Sequence, residues 1–194
     1  TMFVDGEQTE AADGGWIEVS YPYTEETWAE VPRGGAADVD RAVEAARDCF
    51  ESEAWSSLSG GDRAALLHDF ADELAGHAEE IARLGVLGNG KTLAELEGRV
   101  DVVSEWLRYF AGVADKIQGD VIPTEDPETF VHTTREPYGV VGAVTPWNSP
   151  LTLATYKIAP AVAAGNVVVL KPTEINPVTS IRLAEIAHDA GFPA

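Results

Sequence analysis

The sequence predicts an α/β fold in which an N-terminal helical layer precedes the first strand–helix–strand unit of an open parallel sheet, truncated after its second strand. Three observations lead there. Apolar residues recur at helical spacing through most of residues 36–116. Two short, dense apolar runs, Val140 to Val144 and Val167 to Leu170, then flank a helical stretch, as parallel strands flank their crossover helix. The chain stops one helix later, before such a sheet covers both faces or satisfies its edges.

Taken in order, the first elements are two or three short strands around Met2 to Val4, Trp16 to Val19 and Trp28 to Val31, with Gly14, Gly15 and Pro22 between them, forming an outer ribbon. From Ala36 the period changes, and Val39, Ala42, Val43, Ala46 and Phe50 mark an amphipathic helix. A second helix runs from about Asp62 to Glu73 with Leu66, Leu67, Phe70 and Leu74 on one face, and Gly76 separates it from a third near Ala78 to Leu87. Thr92, three residues before Glu95, predicts a capping box. Val103, Trp106, Leu107, Phe110 and Ala114 continue that helix, or a pair divided near Gly98. Residues 121–136 read as a projecting hairpin around Glu125-Asp126-Pro127, an arm of the kind that pairs with another subunit. Leu151 to Ala164 is the crossover helix and Ser180 to Ala190 the next one.

The charge balance excludes some partners. With 33 acidic residues against 13 basic ones, the formal net charge is -20, and nucleic acid and anionic membranes are repelled. Only four lysines are present, Lys91, Lys116, Lys157 and Lys171, a pattern that suits a host rich in intracellular salt. Neither a membrane-spanning run nor a signal-peptide pattern is seen, and the lone Cys49 rules out an intrachain disulfide, so a cytoplasmic protein is predicted.

Several motifs carry competing readings. Gly85 to Thr92 matches G-x-x-x-x-G-K-[ST], yet a phosphate loop needs a strand before it, and Glu79 to Leu87 reads as helix. A helix–turn–helix corner capped by Thr92 is expected instead. Cys49 sits beside the apolar face of the first helix with Asp48 and Glu51 nearby, a structural position and not a thiolate's. The histidines at 68, 77, 132 and 188 lack metal-ligand spacing, so no metal is expected, and His68 and His77 fall on solvated helix flanks.

Thr145-Pro146-Trp147-Asn148-Ser149-Pro150 follows directly on a strand and therefore lies at the carboxyl edge of the sheet, where open α/β sheets bind ligands. Its two prolines stiffen the turn around the Asn148 amide; a plain structural turn capped by Asn148 is the alternative. The second strand ends in Lys171-Pro172-Thr173-Glu174 at the same edge. There a carboxylate accepts from a sugar diol while an ammonium donates, unless the two simply form a salt bridge. No G-x-G-x-x-G follows the first strand, so any dinucleotide binds otherwise than by the ordinary glycine grip.

The stretch from Arg135 to Glu174, with P-W-N and G-N-x-V-V-L-K-P in order, resembles the corresponding segment of the aldehyde dehydrogenase superfamily, and the similarity extends over nearly the whole chain. The resemblance implies residues 1–120 as the ribbon and helical layer of a cofactor domain, 121–138 as an oligomerisation-type hairpin and 139–194 as the incomplete start of the dinucleotide-binding core. It implies oxidation of a small-molecule aldehyde to its acid with NAD⁺, or with NADP⁺, through a cysteine thiohemiacetal, in a homo-oligomer. Asn148 would donate its amide to the oxyanion, Lys171 and Glu174 would hold the adenosine ribose, and Thr145, Pro146 and Trp147 would line the cofactor groove. A carboxylate at the ribose repels a 2′-phosphate and favours NAD⁺. Members often carry Phe after the Asn, where this chain has Ser149. The family's nucleophilic cysteine, general-base glutamate and glycine-rich turn normally lie beyond the last residue here, so the chain alone is expected to be inactive. The alternatives are a non-catalytic truncated subunit that assembles with full-length protein, and a reductase of the same superfamily.

Overall fold

The structure, a computed structural model, describes residues 1–193. Its N-terminus departs from the single expected ribbon. There are two separate antiparallel pairs: β1 (Met2–Val4) with β2 (Glu7–Thr9), and β3 (Trp16–Ser20) with β4 (Thr27–Pro32). The first turn is Asp5-Gly6, with φ of 57° and 70°. Two consecutive left-handed residues make the turn that matches strand twist, for which Asp-Gly is a strong signal. β2 itself reads Glu-Gln-Thr and offers no apolar alternation to betray it.

Helix α1 (Ala36–Glu51) begins over a buried carboxylate. Asp38 accepts from the backbone N–H of Gly35 at 2.9 Å and of Ala12 at 3.0 Å, and Arg41 lies at 3.1 Å. One side chain thus closes the first turn of α1 and holds the segment after β2 against it. The short α2 (Glu53–Ser56) places Trp55 so that its indole Nε1 donates to the carbonyl of Gly165 at 3.0 Å. Helix α3 (Gly60–Gly76) starts with a reciprocal cap between Ser59 and Asp62. His77 is the joint to α4 (Ala78–Asn89); it is half-buried and bonded to Glu80 rather than lying on a solvated flank.

Helix α5 (Leu93–Ala111) runs unbroken through Gly98. A mid-helix glycine costs about 1 kcal/mol, which the packing of this helix outweighs. Val100, Val103 and Leu107 meet Leu67, Phe70 and Leu74 of α3, all at most 1% exposed. Each such burial is favourable by roughly 1.5–3 kcal/mol. At its start Thr92 accepts from the Glu95 N–H, but the Glu95 carboxylate turns to Lys91 at 2.9 Å, so only half of the expected capping box forms. The nearby ammonium outcompetes the backbone donor.

A 3₁₀ turn (Ala114–Lys116) leads to β5 (Val121–Ile122) and β6 (Val131–His132), an antiparallel pair that leaves Val121 and Phe130 at 70% and 72% exposure. β7 (Val140–Val144), helix α6 (Pro150–Ala163) and β8 (Val167–Lys171) follow, the two strands parallel and in register from Val140 opposite Val167 to Val144 opposite Lys171. Buried Asn166 fastens their start: its Oδ1 accepts from Gly139 N–H at 3.1 Å and its Nδ2 donates to the Ala161 carbonyl at 3.0 Å. Helix α7 (Val178–Asp189) adds Leu183 and Ile186 to the core. No helix among the described residues is long and apolar enough to cross a membrane.

Candidate functional site

The parallel register sets the geometry of the sheet's carboxyl edge. Just past β7 the N–H of Thr145 donates to the carbonyl of Lys171 at 3.1 Å, so two segments leave the sheet side by side. One carries Thr145, Pro146, Trp147 and Asn148. The other carries Lys171 and Glu174.

The first segment is pinned from two directions. The carbonyl oxygen of Trp147 accepts from Asn89 Nδ2 at 2.7 Å and from Asn176 Nδ2 at 3.1 Å. Asn89 is the last residue of α4, and Gly90 after it closes the helix with φ of 74°. Asn176 precedes α7, and α4 passes close enough that a Cβ on Gly88 would stand 3.0 Å from the Asn176 Cβ. Pro150 then opens α6. The peptide joining Trp147 to Asn148 is therefore held by two helix ends, while the Asn148 side chain is exposed and its amide free to donate. Trp147 shows 56% of its surface. Thr145 is buried, and its hydroxyl has no partner among the described residues.

On the second segment Lys171 Nζ stands 3.4 Å from Glu174 Oε2, with both side chains mostly exposed. The backbone N–H of Glu174 and then Lys171 hold this carboxyl below the usual carboxylate range, so it is ionised at neutral pH. A pair this long and this wet is weak, which leaves both groups able to take a ligand.

Other motifs resolve differently. Gly85 to Asn89 lies inside α4, so the G-x-x-x-x-G-K-T match wraps a helix–turn–helix corner with no strand before it. Cys49 is buried, and its thiol is pushed up by burial and then by Asp5, from the β1–β2 turn, not by Asp48 or Glu51. Among the described residues no three His, Cys, Asp or Glu side chains gather as a metal site requires.

The site contains residues that the sequence did not single out. Asn89 falls within the helix–turn–helix corner expected at Gly85 to Thr92, and Asn176 carried no reading of its own. The amides of both serve a carbonyl far away in sequence, and no local pattern signals that. Arg99 of α5 lines a shallow cleft between α4, α5 and the start of α6, together with Lys91, Asn148 and Ser149.

Comparison with known proteins gives this arrangement its context. The profile of the aldehyde dehydrogenase family matches residues 9–194. A betaine aldehyde dehydrogenase of Bacillus subtilis is 41% identical over 193 residues, covering 100% of this chain and 39% of the relative. An NADP/NAD-dependent aldehyde dehydrogenase, PuuC, of Escherichia coli is 42% identical over 99% of this chain and 39% of its own length. Among solved structures, a Staphylococcus aureus betaine aldehyde dehydrogenase in complex with NAD⁺ superposes with a TM-score of 0.95 at 41% identity, covering 99% of this chain and 38% of that one. The chain thus spans about 39% of the length of the relatives it matches. From the helical layer through the paired edges of β7 and β8, sequence and fold agree, and the chain belongs to the aldehyde dehydrogenase family.

Proposed function

We propose that these residues supply the N-terminal, cofactor-binding portion of an NAD⁺-dependent aldehyde dehydrogenase that converts an aldehyde to its carboxylic acid. The observation that carries the reading is the junction of Thr145 with Lys171, which sets the Trp147-Asn148 turn beside the Lys171–Glu174 pair at one sheet edge. NAD⁺ would supply the hydride acceptor. The residues fit that cofactor: Glu174 is an exposed, ionised acceptor for a ribose diol, Lys171 is a donor beside it, and the unpartnered Thr145 hydroxyl lies at the same edge. Thr145, Pro146 and Trp147 would border the groove. The Glu174 charge disfavours a 2′-phosphate, so NAD⁺ is preferred over NADP⁺.

Asn148 is the oxyanion donor in this reading. Addition of a thiolate to an aldehyde carbonyl places negative charge on oxygen, and an amide fixed beforehand stabilises that charge without reorganising. Asn89 and Asn176 hold the turn that carries Asn148 at the Trp147 carbonyl, which supports this role. Cys49, buried and with a raised thiol pKa, is unsuited to attack. The nucleophile and general base would come from the part of the protein outside these residues, and these residues alone would not turn over.

The remaining assignments rest on the same reading. Residues 1–120 would form the N-terminal strand pairs and helical layer, 121–138 an arm whose exposed Val121 and Phe130 would pack against another subunit of a homo-oligomer, and 139–194 the start of the dinucleotide-binding core. The excess of acids suits a cytoplasm of high salt, where screening relieves self-repulsion. The test is to express the complete protein in molar KCl, titrate NAD⁺ and NADP⁺ calorimetrically, and follow NADH formation with a simple aldehyde. Tight NAD⁺ binding with turnover supports the reading; a folded protein with neither leaves a non-catalytic relative or assembly subunit.

A further inference from the structure

Six of the nine arginines in this chain are engaged. Arg33, Arg41, Arg83, Arg108 and Arg182 meet carboxylates, and Arg63 donates to the carbonyls of Leu58 and Ala163. Arg47 and Arg135 are exposed to water. Arg99 is different: it is half-buried, and among the described residues it has neither a carboxylate nor a carbonyl as partner. Of the half-buried arginines Arg63, Arg99, Arg108 and Arg182, only Arg99 lacks a hydrogen-bond or ion-pair partner among the described residues.

Its location gives the anomaly a meaning. Arg99 lines the cleft that also holds Asn148 and Ser149, and no acidic residue is among the cleft's lining. The other cation there, Lys91, is already taken by Glu95 at 2.9 Å. The Ser149 hydroxyl makes no cap bond to α6. Beside Asn148, then, stand one unengaged guanidinium and one unengaged hydroxyl in an otherwise largely apolar wall. A net charge of -20 repels an anionic ligand from the rest of the surface, so a local site of opposite sign is what such a ligand needs.

We infer that Arg99 is a specificity-determining residue that selects aldehydes bearing a carboxylate at their far end, with Ser149 as a second donor to that carboxylate. The inference rests on the proposed role of Asn148: the carbonyl end lies against the Asn148 amide and the acid end lies toward α5. A planar guanidinium matches a carboxylate with two parallel hydrogen bonds, which a lysine at the same place cannot reproduce. No step of the oxidation changes, because Arg99 acts on binding alone.

The experiment uses the complete enzyme at fixed high ionic strength and compares 4-oxobutanoate with butanal and 5-oxopentanoate with pentanal, in wild type, Arg99→Gln and Arg99→Lys. The oxo acids are expected to be the better substrates of the wild type. Arg99→Gln lowers kcat/KM for them by about 10- to 100-fold, mainly through KM, and leaves butanal and pentanal within about twofold. Arg99→Lys falls between. Equal losses on charged and uncharged aldehydes, or no loss on the oxo acids, overturn the inference while turnover of butanal upholds the dehydrogenase. A folded enzyme that oxidises none of the four overturns the proposed function, and this inference with it.

Discussion

The side-chain amide of Asn89 donates to the backbone carbonyl of Trp147 at 2.7 Å, joining the end of α4 to the turn that presents Asn148. With Asn176 on the same oxygen, the turn is clamped between two helices that are otherwise remote from it in sequence. Asn89→Ala removes one clamp. The expected cost is about 1 kcal/mol in stability and a fall in kcat of roughly tenfold in the complete enzyme, because a displaced amide misses the developing charge. Urea unfolding and steady-state kinetics check both; unchanged kcat would show that Asn176 suffices alone.

Asn148→Ala tests the donor itself. Its side chain is exposed and makes no hydrogen bond among the described residues, so unfolding midpoints should hardly move. Loss of an oxyanion donor lowers kcat by about 10²–10³, with KM little changed. Asn148→Asp, which accepts and cannot donate when ionised, should be no better. A variant that keeps wild-type kcat would return Asn148 to the status of a turn residue.

Glu174→Gln separates charge from hydrogen bonding at the ribose. With the carboxylate gone, NADP⁺ affinity should rise relative to NAD⁺ by about tenfold. Since Glu174 titrates below the usual carboxylate range, the wild-type preference for NAD⁺ should be flat from neutral pH to about pH 5. Calorimetric titration with both cofactors at two pH values reads this directly. Parallel changes in the two affinities would mean that Glu174 does not face the 2′ position.

Periodicity made much of the chain legible, and its limits are physical. The apolar runs at Val140–Val144 and Val167–Leu170 and the helical stretches of α1 and α3 to α7 declare themselves because each buries one continuous face, whereas the four-residue α2 has no period to show. β2 did not, since its three polar residues pair through backbone alone and only Asp5-Gly6 pointed to the turn. Thr145, Trp147, Asn148, Lys171 and Glu174 could be placed at one edge from the order of strand, helix and strand. Asn89, Asn176, Asp38 and Asn166 could not be recognised, because their partners lie up to 58 residues away and become neighbours only once the layers pack.

The contact between α4 and α7 makes a prediction about acid. Glu80 accepts from Arg182 Nε at 2.8 Å and sits 2.9 Å from His77 Nδ1, and Arg182 also reaches Glu185 at 3.0 Å. Arg182 first, and His77 after it, hold Glu80 below the usual carboxylate range. A carboxyl depressed in the folded state adds stability that is fully present above its unfolded pKa and is lost as pH falls through the folded value. The pair is 22% and 45% exposed, so screening limits it to about 0.5–1 kcal/mol. Glu80→Gln should therefore lower the urea midpoint at neutral pH, and the gap to wild type should close below about pH 4. Molar KCl should narrow the gap at every pH, because the pair is partly solvated. A gap that persists at low pH would mean that Glu80 contributes through packing rather than charge.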